Sequence, residues 1–217
     1  MTAPVLELTD VSKDYHGLRP LRIADLSVAR GEQVALVGFD QSSAEVFMNL
    51  VTGAILPDRG AVRLLGRETA DIADAADWLT VVDRVGIVSR RAVLLDALTV
   101  IQNLAMPYTL EVAPPPPDVR ERAVALASDA GLPEGAYDRA IAELDATDVF
   151  RVRFARALAF DPAVVFFEHA TAEVAGEDIL ALATRCREVA SRRHIATVVL
   201  TADRVFAATA ASRVLSW

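Results

Sequence analysis

Residues 5–9 (VLELT) and 21–28 (LRIADLSV) alternate apolar and polar side chains. A period of two turns one face of a strand to a core and the other to water, so both are predicted as antiparallel strands with one wet face. Four other runs do not alternate: QVALV (33–37), VGIV (85–88), VVFF (164–167) and IATVVLT (195–201). Continuous apolar runs of this length predict strands buried on both faces. Helices are predicted from about Ala44 to Ala54, over LTVIQNLAM with Thr99 as N-cap, and over DVRERAVALASDAGL with Asp118 as cap and Gly131 as stop. DVFRVRFARALAF and the amphipathic EDILALATRCREVASRR complete the helices of the middle and late chain. LPDRG (56–60) is a turn into a strand at AVRLLG, and the chain closes on a short helix and the strand-like RVLSW. Strands alternating with helices, several uniformly apolar, predict an α/β fold around a parallel sheet, with an antiparallel start and a helical middle added to it.

Composition narrows this picture. A chain of 217 residues is ample for one real core. Hydrophobic residues make up 53% and charged residues 24%, and no apolar run reaches the ~18 residues of a membrane helix. The segment MTAPVLELTDV has no basic stretch followed by an apolar core, so no signal peptide is expected. APPPPD (113–118) reads as a stiff spacer or, alternatively, a ligand for a proline-binding module. Cys186 is the one cysteine, which excludes an intrachain disulfide and fits a reducing compartment. A net charge of −8 argues against a nucleic-acid binder. Lys13 is the only lysine.

That last fact bears on GFDQSSAEV (38–46), which stands between the strand QVALV and the helix-like FMNLVTGA. Strand, glycine, polar loop and helix are the parts of a phosphate-binding loop, but its lysine is missing. The same residues hold Ser42-Ser43-Ala44-Glu45, a capping-box pattern in which Ser42 and Glu45 would satisfy each other's backbone N–H groups.

The order of segments resembles the ATP-binding cassette subunit of ABC transporters over nearly the whole chain. DVSKDYHGL resembles the segment whose aromatic residue stacks on adenine, here Tyr15. LVTGAILPDRGAVRLLG and RFARALAFDP are close to the family's wording. VGIVSRRAVLLDALTVIQNLAMP resembles the glutamine-loop region that faces a permease. VVFFEHA resembles the Walker B strand, and TVVLTADRV the switch-histidine strand. The resemblance implies a P-loop NTPase-like parallel core with an N-terminal antiparallel β-subdomain. It implies a single domain over 1–217, with a helical subdomain inserted at approximately 89–160.

The departures from the family's pattern fall on its chemistry. Gly38 holds the first loop position, but Ser43 replaces the second glycine, Ala44 the lysine and Glu45 the metal-binding hydroxyl. Arg90 stands for the glutamine, and LDATD (144–148) for the signature L-S-G-G-Q. Glu168 stands for the Walker B Asp, His169 for the catalytic Glu, Ala175 for the next loop's Asp and Ala202 for the switch histidine. Losing Lys removes an attraction and gaining Glu45 adds a repulsion. Each is about 4 kcal/mol at ~4 Å and a dielectric near 20, taken at about half in a solvated cleft. Together they imply roughly thousandfold weaker nucleotide binding.

His169 is open to two readings, a general base or a polar strand end. Tyr15 is open to stacking on a base or to packing at a strand end. Arg90 and Arg91 either pair with a partner or form a solvated basic pair. The chain is expected to be a non-catalytic homologue acting beside a membrane permease or a second cassette, peripheral on the cytoplasmic face. The alternative is an atypical ATPase, which needs a compensating cation; the nearest basic residue after the loop is Arg59. The expected remnant nucleotide site is Tyr15, Gly38, Ser42, Ser43 and Glu168. No catalytic residue, no metal site and no cofactor are expected, with ATP and magnesium bound weakly at most.

Overall fold

A computed structural model describes residues 3–17 and 19–217. β1 (Leu6–Lys13) and β2 (Leu21–Val28) pair antiparallel, and β1 pairs on its other side with β4 (Arg59–Leu64), followed by the short β5 (Arg67–Glu68). The second sheet is parallel throughout. It has the order β6 (Val85–Ser89), β7 (Val164–Glu168), β8 (Ala196–Thr201), β3 (Gln33–Val37), β9 (Arg213–Ser216). The helices are α1 (Gln41–Val51), α2 (Ala75–Val82), α3 (Val100–Ala105), α4 (Pro117–Ala130), α5 (Ala146–Ala157), α6 (Gly176–Arg193) and α7 (Arg204–Ala210).

Three of the four unalternating strands, β3, β7 and β8, are buried on both faces because a core lies on each; β6 stands at the sheet edge and leaves Ile87 exposed, against the expectation for VGIV. Val164 and Phe166 of β7 pack with α1 and the antiparallel sheet, while Val165 and Phe167 pack with α3–α7. Phe167 meets Phe150, Phe154 and Phe206 at centroid distances of 5.7–6.4 Å, which ties α5 and α7 to the strand. Asn103 is fully buried. Its amide donates to the carbonyls of Leu95, Leu98 and Thr99 and accepts from the Leu95 N–H, which closes the loop before α3.

Some predicted element bounds move, and one helix was not predicted. α1 begins at Gln41 and ends at Val51, three residues earlier than predicted at each end, because Asp40 and not Ser42 is its N-cap. α4 begins at Pro117, one residue before the predicted cap Asp118: proline's fixed φ suits the first helical position, where no N–H is needed. α2 has no counterpart among the predicted elements; it is only eight residues long, and of them only Val81 is buried. Its place is set by Asp74 at its cap and by Trp78, which donates to the Thr52 carbonyl at 2.8 Å.

Candidate functional site

The parallel sheet delivers its loops to one edge. Asp40 follows β3, Arg90 and Arg91 follow β6, Glu168 ends β7, and Ala202 follows β8. The register places Ser89 opposite Glu168, so the loop after β6 begins beside that carboxylate.

At the start of α1, Asp40 accepts from the Ser43 N–H at 2.7 Å and from the Ser43 hydroxyl at 2.6 Å. These bonds, the hydroxyl's first, hold the Asp40 carboxyl below its ordinary pKa. The Ser42–Glu45 capping box does not form. Glu45 turns away from the helix end and pairs with Arg91 Nη1 at 2.9 Å, where a full charge outbids one backbone N–H. The basic residue that reaches α1 is Arg91, not Arg59, and it is engaged by carboxylates of the chain itself. Its Nε and Nη2 donate to Glu168 Oε2 at 3.2 and 3.0 Å, and Nη2 lies 2.9 Å from Oε1. That second contact has ion-pair distance but not hydrogen-bond alignment, since buried Oε1 has no hydrogen-bond partner. Ser89 Oγ donates to Glu168 Oε2 at 2.7 Å and accepts from the Arg91 N–H at 3.1 Å. Of the basic pair, Arg91 turns inward, while Arg90 stays exposed to solvent in a surface ion pair with Glu173 at 2.9 Å.

The expected site residues do not gather in one place. Tyr15 and Ser42 share a cleft of about 820 Å³ with His16, Arg19, Asp40, Glu45 and Asn49. Tyr15 is half-buried, packs against the antiparallel core and lies over Gly17. Glu168 lies beyond Asn49, in a cavity of about 250 Å³ with Ser89 and Arg91. Ser43 is buried under Asp40. Gly38 has φ +109°, and a Cβ there would lie 2.8 Å from the Trp217 carbonyl oxygen. Its freedom from a side chain serves the approach of β9 to β3.

The residues at the signature position make internal bonds. Asp145 caps α5 by accepting from the Asp148 N–H, Asp148 pairs with Arg151 at 2.6 Å, and Thr147 donates to Asp178 at 2.6 Å. His169 has φ +42°, and its buried Nε2 has no partner. It faces a cavity with Thr171, Thr201, Ala202 and Asp203. Among the described residues no group of three His, Cys, Asp or Glu side chains has the geometry of a metal site.

The role of Arg91 was missed from sequence although a signal existed. VVFFE ends a fully apolar strand on a carboxylate, and such a group requires a cation. With one lysine in the chain, an arginine beside the neighbouring strand was the available source.

No family model matches the chain. The methionine import ATP-binding protein MetN of Brucella abortus is 30% identical over 201 residues, 92% of this chain and 53% of that protein. The chain therefore spans about half the length of the first curated relatives it matches. The lipoprotein-releasing system ATP-binding protein LolD of Anaeromyxobacter dehalogenans is 31% identical over 210 residues, 94% of this chain and 86% of that protein. Among solved structures, a dimeric bacterial ABC transporter cassette matches with a TM-score of 0.80 at 23% identity, over 97% of this chain and 93% of the other. No helix among the described residues is long and apolar enough to cross a membrane. Parallel core, antiparallel sheet, helices after β6 and the match to LolD over nearly its full length agree: the chain belongs to the family of ATP-binding subunits of ABC transporters.

Proposed function

We propose that this member of the family is non-catalytic and serves as a structural or regulatory partner of a membrane permease or of a second cassette, on the cytoplasmic face. The observation that carries this reading is Asp40. Its carboxylate sits on the first turn of α1 and takes the Ser43 N–H and hydroxyl. Helix N-terminal N–H groups are what a phosphate would use. An internal anion there opposes a nucleotide's charge. Lys, catalytic Glu and switch His are replaced by Ala44, His169 and Ala202.

Partner docking draws support from the loop after β6. Val93 is 71% exposed and Leu95 is also exposed, while Arg156 donates to the Val93 carbonyl at 2.6 Å and fixes the loop. Arg153 stands near with a buried Nε that has no partner. An apolar centre with basic groups at its edge fits a protein partner.

The test is a Mg-ATP titration of the purified chain, read by heat and by melting. A Kd above ~5 mM gives less than about 0.4 kcal/mol of stabilisation at ~5 mM nucleotide, against about 4 kcal/mol for a Kd of ~10 μM. The small value is expected, and the large one overturns the reading. A second reading, an atypical ATPase, draws on one observation: the cleft of about 820 Å³ beside Tyr15 stays open, with Arg19 on its wall. Steady phosphate release abolished by Glu168→Gln would establish it.

A further inference from the structure

We propose that Arg91 is the resident cation of the site, and that its guanidinium stands on the ground a divalent metal would need. The inference deepens the non-catalytic reading and rests on it for the identity of what is excluded. Glu168 has a fully buried side chain at the end of an apolar strand. A carboxylate in that position needs a counter-charge. Its partners are the Ser89 hydroxyl and Arg91. The same guanidinium reaches Glu45 on α1 through its other arm. One cation thus joins two carboxylates from different elements, as a bound metal does.

The geometry admits one or the other. A divalent ion coordinates oxygens at about 2.0–2.6 Å. With Nη1 and Nη2 each 2.9 Å from a carboxylate oxygen, no such position between Glu45 and Glu168 is left. Glu168 Oε1 is buried without a hydrogen bond, so its lone pairs are not fully used by Arg91. Backbone and side chain of Arg91 act together: its N–H is held by Ser89 Oγ, which itself donates to Glu168. The neighbouring charges do not compete for the pair, since Arg90 is engaged by Glu173. The cavity beside it is lined otherwise by Met48, Asn49, Thr52, Ile87 and Ala92, none of them charged.

The experiment is a Mn²⁺ titration of the full chain, followed by loss of the free-ion electron paramagnetic resonance signal. Arg91→Met is expected to bind one Mn²⁺ at least about tenfold more tightly than wild type, a figure discounted for the half-exposed guanidinium. Mn²⁺ should also raise its melting temperature, and Arg91→Met/Glu168→Gln should lose both effects. Equal binding by wild type and Arg91→Met, or none by a folded Arg91→Met, overturns the proposal. If Arg91→Met does not fold, the wild-type Arg91 Nε–Hε resonance decides. It should stay unmoved at ~10 mM Mg²⁺, about tenfold above the dissociation constants of the weakest calcium modules, and a saturable shift overturns the proposal. Steady hydrolysis of Mg-ATP by wild type without movement of that resonance would sink the non-catalytic reading and leave this one standing.

Discussion

At the scale of single residues, this site is governed by where each charge finds its opposite. Asp40 has two claims on it, a backbone N–H and a hydroxyl, both from Ser43. Replacing it with Ala removes an N-cap, a loss of about 1 kcal/mol that urea unfolding will register. The loss should depend on pH. The carboxyl's folded-state pKa is depressed, so its contribution is present above the ordinary carboxylate range and disappears as the pH falls through the lowered value. Wild type and Asp40→Ala should therefore converge in acid, whereas wild type and Asp40→Asn should differ little at neutral pH. The sequence made the choice of cap ambiguous. Asp40 and Ser42 are both good caps two residues apart, and nothing local says that Glu45 has a better partner 46 positions downstream. That partner is set by the pairing of β6 with β7, a tertiary fact.

At the scale of elements, those with a strong internal signal were legible. VVFF and IATVVLT are the two-face strands their composition predicts, because cores lie on both sides of them. Thr99 caps α3 as read, and it does so in a full box: Thr99 Oγ1 accepts from the Gln102 N–H and the Gln102 side chain returns to the Thr99 N–H. For a helix of six residues this termination is a large share of its local stability. Thr99→Ala should lower the urea midpoint by the equivalent of about 1 kcal/mol, with an unchanged slope. α2 was missed because it is short and is held by tertiary contacts. Its place comes from Asp74, Trp78 and the pairing of Arg67 with Asp77, polar contacts, the last two with residues outside the helix, that a reading of eight residues does not reveal.

At the scale of the whole molecule, two cores with one parallel sheet between them carry every loop of the site to a common edge, and that edge meets the loop of residues 90–95. The resemblance stated the fold correctly because scaffold wording such as LVTGAILPDRGAVRLLG is apolar patterning and turn chemistry, which survive changes in the charged positions. If the exposed centre of that loop is a docking surface, Val93→Asp with Leu95→Asp should abolish co-purification with a membrane partner. Both side chains are exposed, so unfolding should shift by no more than about 0.5 kcal/mol per site. Retention of the partner would remove the loop from the interface. Gly38 has a wider consequence. A side chain there would press on the carbonyl oxygen of Trp217, the residue that follows β9, so the glycine has a packing role of its own. A leading glycine in such a loop can therefore mark the seam between two strands, and here that packing alone is enough to call for one.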